Sequence, residues 1–375
     1  MPVTHLKNLN SSYRPVADYK NPGLARQLLD KINSYTGSAS IMEVCGTHTV
    51  ALFKSGIRDG LNARINLVSG PGCPVCVTGA DAVEKAIGLA CRKNTVLFCF
   101  GDMVKVPGAR VSLDSVKAER DANVKIMYSP LEALEYAKNN PLKDIVLFGV
   151  GFETTVGLFA STLIRAKNDG VKNLHLLCAF KLVPPALRAL LSSADVKVDG
   201  LLLPGHVSAI LGAEAYRFMA DEYHVPGVIA GFEPVDMLEG ILMLTRMIGN
   251  KQARIVNEYS RIVTREGNLK AKEAIASVFT ECDARWRGLG EIPGSGLKLN
   301  RAFSAFDAEK FVDFPVPHVE EPRGCKCPEV IKGKAQPTQC PLFRRVCTPS
   351  DPVGPCMVSS EGTCAAYYKY GGKKL

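Results

Sequence analysis

Two thiol-bearing turns carry most of the chemistry available to this sequence. Cys45-Gly-Thr-His48 follows the apolar run Ile41-Met-Glu-Val44, and Gly70-Pro-Gly-Cys-Pro-Val-Cys76 follows Ile65-Asn-Leu-Val68. Cys73 and Cys76 form a C-x-x-C pair, whose sulfurs can share a metal or close a short disulfide. Cys45 stands alone, as a one-thiolate metal ligand or a nucleophile would, and His48 three residues later is a second ligand or the group that orients the loop. As half of a metal site, the C-x-x-C pair would draw its further ligands from Cys45 and His48. As a redox pair it would cycle between dithiol and disulfide, and the bland alternative is an accident of a Gly-Pro turn. Loops that follow strands are where α/β proteins place their ligands, so the two turns are expected to face each other across one site.

A second concentration of thiols lies at the far end. Six of the thirteen cysteines are Cys325, Cys327, Cys340, Cys347, Cys356 and Cys364, set among Pro and Gly in a segment poor in aliphatic residues. Such a segment builds little core and needs a metal to hold it. Four thiolates at these spacings can bind a tetrahedral zinc or an iron–sulfur cluster. The paired C-x-x-C knuckles of a zinc ribbon are missing, and the irregular spacing suits a cubane better. Cys91, Cys99 and Cys178 read as buried packing thiols.

The elements that must position these groups repeat one grammar. Apolar runs at 40–44, 65–68, 96–100, 144–150, 174–180, 200–204 and 228–230 each break into a turn, and helical stretches such as 21–35 and 80–92 lie between them. Alternation at this pitch predicts parallel sheets with helices on both faces. The strand ends present Asp102, Glu153, His206 and Glu233 as acid–base groups or loop anchors, with Lys105 in the same turn as Asp102 and placed to pair with it. The expected architecture is α/β: a first parallel-sheet domain over 1–140, a similar second one over 141–285 with bracing helices from 235 to about 280, and a small cysteine-rich domain over 286–375.

Composition narrows the function classes. With 46% hydrophobic and 22% charged residues, the 375-residue chain is that of an ordinary globular protein. Its net charge of +9 is scattered rather than gathered in a stripe, which argues against nucleic-acid binding. The opening residues lack a signal peptide's apolar core and no apolar run is long enough to span a bilayer, so a cytoplasmic protein is expected. A dense thiol pattern there points to metal or redox chemistry rather than structural disulfides. No Walker motif or G-x-G-x-x-G follows a strand, which leaves nucleotide hydrolysis and dinucleotide cofactors unsupported.

Ile41-Met-Glu-Val-Cys-Gly-Thr-His48, Gly70-Pro-Gly-Cys-Pro-Val-Cys76 and Phe100-Gly-Asp-Met-Val-Lys-Val-Pro-Gly108 resemble the hallmark motifs of the HypD family of hydrogenase maturation factors. Gly151-Phe-Glu-Thr-Thr155, Pro204-Gly-His-Val-Ser208, Ala230-Gly-Phe-Glu-Pro234 and Met357-Val-Ser-Ser-Glu-Gly-Thr-Cys364 match in the same order. The resemblance covers essentially the whole chain. It implies two similar α/β domains and a C-terminal domain with a [4Fe-4S] cluster. It also implies a partnership with the small chaperone HypC, in which iron is held while it becomes the Fe(CN)2CO unit of [NiFe]-hydrogenase, cyanide arriving from the HypE–HypF pair. Carried onto this sequence, Cys45 is an iron ligand, His48 a neighbouring ligand or orienting group, and Cys73 and Cys76 the redox-active pair. Cys327, Cys340, Cys347 and Cys364 are the implied cluster ligands, with Cys325 and Cys356 spare. The rival reading, from a different class, is a cluster-dependent thiol–disulfide reductase; a third is a zinc-stabilised binding module.

Overall fold

The computed structural model describes residues 16–372 apart from 121 and 318; the polar lead at 1–15 lies outside the described residues. Eleven strands are described: β1 (Ala39–Glu43), β2 (Ile65–Ser69), β3 (Thr95–Cys99), β4 (Val124–Ile126), β5 (Asp144–Gly149), β6 (Leu174–Cys178), β7 (Gly200–Pro204), β8 (Gly227–Ala230), β9 (Ile255–Asn257), β10 (Phe279–Trp286) and β11 (Gly290–Leu299). The first nine build two parallel sheets, ordered β2-β1-β7-β8-β9 and β4-β3-β5-β6. β3, β7 and β8 are buried along their whole length. That is why they read as continuous apolar runs: helices cover both faces of a parallel sheet.

Both sheets have the same build. In each, the chain starts inside the sheet, adds one strand on one side, then crosses over and continues on the other. The order reverses between β1 and β7 in the first sheet and between β3 and β5 in the second. Such a reversal opens a crevice at the carboxyl ends of the two central strands, the usual ligand position in an open α/β sheet. The turns of Cys45 and His206 follow β1 and β7; those of Asp102 and Glu153 follow β3 and β5.

The expected boundary at 140/141 does not fall between the sheets. The chain leaves the first sheet after β2, builds the whole second sheet, and returns at β7, whose Leu201 and Leu202 pair with Met42 and Glu43 of β1. The bracing helices are Pro234–Gly249 and Leu269–Val278, interrupted by β9, the edge strand of the first sheet. The stretch after them is the antiparallel hairpin β10–β11. Its buried Trp286 bridges to Thr78, and the Arg287 amide donates to the Val77 carbonyl at 2.8 Å. The hairpin thus braces the chain immediately after the C-x-x-C pair.

Among its described residues the cysteine-rich segment has short helices, including Cys327–Ile331, Pro355–Val358 and Thr363–Tyr370. They pack on the first sheet's turns: Thr363–Tyr370 against the helix Gly46–Lys54, and Pro355–Val358 against the one-turn helix Pro74–Val77. Among the described residues, no helix is long and apolar enough to cross a membrane.

Candidate metal and thiol site

Cys45 lies two residues beyond the end of β1, at the N-cap position of the helix Gly46–Lys54. Burial, followed by the carboxylate of Glu361, pushes its thiol up to about 11, and the facing amides and hydroxyl of Thr47 and His48 offset this only in part. A protein that keeps such a thiol out of water, next to a carboxylate, disfavours the free thiolate; a bound cation would reverse that balance.

The two thiol turns do meet. The Gly46 amide donates to the Gly72 carbonyl at 3.1 Å. A Cβ on Gly72 would lie 2.5 Å from both the N and Cα of Cys45, so only glycine permits the approach. Cys73 and Cys76 form a disulfide with Cα atoms 5.2 Å apart. Cys73 is 5% and Cys76 2% exposed, which closes the bond to any large partner in this conformation. The Cys76 sulfur lies 4.0 Å from the carbonyl of Pro355, the residue before Cys356.

Behind it the C-terminal thiols pool together. Cys327 is in side-chain contact with Cys325, Cys356 and Cys364, and Cys356 also with Cys364. Hydrogen bonds from Cys327 and Cys356 lower the Cys364 thiol to about 6. Cys347, raised by burial, lies within electrostatic reach of Cys325 and Cys327, and its sulfur accepts from the Val353 amide at 3.4 Å. Gly354 leaves room for this pool, since a Cβ there would sit 2.9 Å from the Cys327 sulfur. Cys340, expected as a ligand, faces the Gly324 carbonyl instead at 3.8 Å, whereas Cys356, expected as a spare, is inside the pool. Among the described residues, no three His, Cys, Asp or Glu side chains converge as they would around a single ion. The pool's fit to an iron–sulfur cluster is therefore one of donor chemistry: soft sulfurs, gathered and partly buried, with an amide directed at one of them.

Other expected site residues separate into two groups. Asp102 accepts from Ser359 at 2.9 Å and so reaches the C-terminal segment rather than Lys105, which is exposed. His206 stacks on Phe232 at 4.0 Å, and His48 stacks on the same ring at 4.6 Å. Glu153 is a buried anchor that accepts from the Val183 amide at 2.8 Å, its carboxyl raised to about 7 by burial. Glu233 caps the helix Pro234–Gly249. Cys91, expected to be buried, is exposed at the end of its helix; Cys99 is buried and Cys178 partly so.

Sequence reasoning missed Glu361. Its side chain accepts from the Thr47 hydroxyl at 2.6 Å, and a Cβ on Gly46 would sit 2.3 Å from its backbone carbonyl. The C-terminal segment therefore closes over Cys45 itself. The only signal was its place in the turn before Cys364. Arg58 was missed as well: partly buried and paired with the buried Glu43, it donates to the Leu67 carbonyl at 2.8 Å and to the Tyr367 hydroxyl at 3.3 Å. It thereby ties the end of β1 to the C-terminal helix.

Comparison with known proteins identifies the family. The family model described as "HypD: Hydrogenase formation hypA family" matches residues 23–371. Hydrogenase maturation factor HypD2 of Bradyrhizobium diazoefficiens is 43% identical over 338 residues, covering 88% of this chain and 89% of the relative. HypD of Escherichia coli is 42% identical over 367 residues, covering 95% and 98%. HypD of Azotobacter vinelandii is 41% identical over 369 residues, covering 96% and 97%. With residues 23–371 matched by the family model and nearly its full length covered by these relatives, the chain belongs to the HypD family of hydrogenase maturation factors.

Proposed function

We propose that this chain is a cytoplasmic scaffold that holds iron at Cys45 while cyanide and CO are installed to form Fe(CN)2CO, and that its own thiols supply the redox chemistry. HypC is the partner that would complete the iron's thiolate set, and HypE–HypF the source of cyanide. Iron here is cargo. Soft thiolate ligands suit the iron that strong-field cyanide and CO require, and a site closed over by the 359–362 turn keeps water away from it.

The observation that carries the reading is continuity. Cys45 touches Gly72, the disulfide follows at Cys73 and Cys76, and Cys76 lies against Pro355 at the edge of the thiol pool. A [4Fe-4S] cluster held by the pool, with ligands drawn from Cys325, Cys327, Cys347, Cys356 and Cys364, would supply single electrons. The Cys73–Cys76 disulfide opens to two thiols on taking two electrons and two protons, and stores them beside Cys45. His48, neutral because burial lowers it to about 4, adds a nitrogen donor without adding charge. The rival reductase reading is disfavoured by the same disulfide, which is too enclosed for a protein disulfide to reach.

The test is anaerobic co-expression with HypC, followed by metal analysis and infrared spectroscopy. Wild type should carry iron with CO and cyanide bands. Cys45→Ala should lose more than nine-tenths of those bands while keeping the cluster's visible absorbance. Bands that persist in Cys45→Ala would refute the reading.

A further inference from the structure

His48 is fully buried, and its two ring nitrogens have opposite surroundings. Nε2 lies 2.9 Å from the Gly231 carbonyl and 3.3 Å from that of Ala230. Two carbonyls can only accept, so Nε2 carries the proton. Nδ1 then holds the lone pair, and it is buried with no hydrogen-bond partner. An unpartnered buried acceptor is a cost the fold would shed unless something binds there.

One of the carbonyls that impose this tautomer, that of Ala230, is held through its own peptide, and the Gly231 carbonyl follows in the next. The amide of Gly231 belongs to the same peptide as the Ala230 carbonyl, and it donates to Glu258 Oε2 at 3.2 Å. Next along, the Glu233 amide donates to Asp236 Oδ2 at 3.2 Å, and Arg261 grips Asp236 with two bonds of 2.9 and 2.7 Å. The Arg261 guanidinium lies over the rings of Tyr19 and Tyr259, 3.8 and 4.4 Å from their centroids. A Cβ on Gly231 would sit 2.2 Å from Asp236 Oδ2, so the turn is drawn tightly onto this carboxylate.

We propose that Glu258, backed by the Asp236–Arg261 pair, is a positioning group for His48: by pinning the 230–231 peptide it holds the imidazole in its Nε2–H form and keeps the Nδ1 lone pair available to a metal. This rests on the reading of His48 as part of the iron site. Outer partners of this kind fix tautomer and ring orientation at metal sites, and their loss commonly weakens metal binding about 10–100-fold.

The experiment uses the full chain labelled with 15N-histidine and free of added iron. The His48 signals are assigned by their absence in His48→Gln. Wild type should show the proton on Nε2. Glu258→Met, which removes the acceptor for the Gly231 amide, should show both tautomers in exchange and retain Fe(II) about tenfold more weakly. Glu258→Gln keeps an acceptor and should restore both readouts. Asp236→Asn, which loosens Arg261 and leaves Glu258 in place, should shift the tautomer ratio in the same direction by less, and it serves should Glu258→Met fail to fold. A proton on Nδ1 in wild type, or a single Nε2–H form in both Glu258→Met and Asp236→Asn, overturns the proposal. A wild type with the Nε2–H form that binds no Fe(II) would instead sink the iron reading and leave the positioning network standing.

Discussion

The parallel-sheet body and the C-terminal segment hold themselves together by different means. The body's central strands β3, β7 and β8 are buried along their whole length and packed into three apolar clusters, the first of which also takes in Cys327, Ile331, Cys347, Cys356, Met357 and Cys364 of the segment. The segment from Cys325 onward contributes few aliphatic side chains, among them Val330 and Ile331, and half of its buried hydrophobic side chains are thiols: Cys327, Cys347, Cys356 and Cys364. What orders it is the body it leans on, through Glu361 at Thr47, Ser359 at Asp102 and Tyr367 at Arg58, together with whatever its thiols hold. The site lies where the two meet, so under the proposed reading the body is covered by a lid whose order would depend on metal. Loading and closure are then linked, because metal that binds only the ordered lid stabilises the closed site.

Breaking the lid's thiols should have the largest effect. Cys356→Ala removes a member of the sulfur pool and is expected to abolish the visible absorbance of the cluster in anaerobically purified protein. Cys340→Ala, outside the pool, should retain most of it. The opposite pattern would show that the pool is not the ligand set. A smaller effect is expected at the seam. Arg58→Met leaves Glu43 buried without its cation, which should destabilise the body by about 3–5 kcal/mol in urea unfolding. It should also loosen the C-terminal helix, read as faster amide exchange over 363–370.

Much of this was legible in the residues, and what was not has identifiable causes. Seven of the body's strands stand out as apolar runs, unbroken where the strand is buried along its whole length as in β3, β7 and β8, and the breaks into turns locate their carboxyl ends. β4 and β9 were invisible: each is three residues long at a sheet edge, too short for any period to register. The hairpin β10–β11 was hidden because β10, Phe-Thr-Glu-Cys-Asp-Ala-Arg-Trp, buries chiefly its two end residues and otherwise looks like a polar loop. Strand order was not legible either. Nothing in the run Leu201-Leu-Leu says that it pairs with β1 rather than continuing the second sheet, so the domain boundary was drawn by chain position. At the site, spacing within one turn could be read but contact between turns could not. Cys73 and Cys76 were paired from their spacing, whereas Glu361, 316 residues from Cys45, could be placed only by folding.

The smallest expected effect belongs to the body and tests whether its strand-end acids are anchors. Glu153 ends up buried with one oxygen on the Val183 amide and the other unpartnered. Burial raises its carboxyl from the ordinary 4.5 to about 7. The folded protein therefore holds a proton there that the unfolded chain releases at lower pH. The stability linked to this proton is fully present below pH 4.5 and falls as pH rises toward 7, by about 3 kcal/mol across the window if this group acted alone. Above 7 both states are ionised and the dependence ends. Glu153→Gln keeps an oxygen for the Val183 amide but cannot ionise. Its urea midpoint, compared with wild type from pH 4.5 to 7.5, should gain on wild type steadily up to about 7 and then run parallel. An anchor leaves iron retention unchanged by the substitution; a catalytic acid would not, and loss of iron at a preserved midpoint would move Glu153 from the frame to the chemistry.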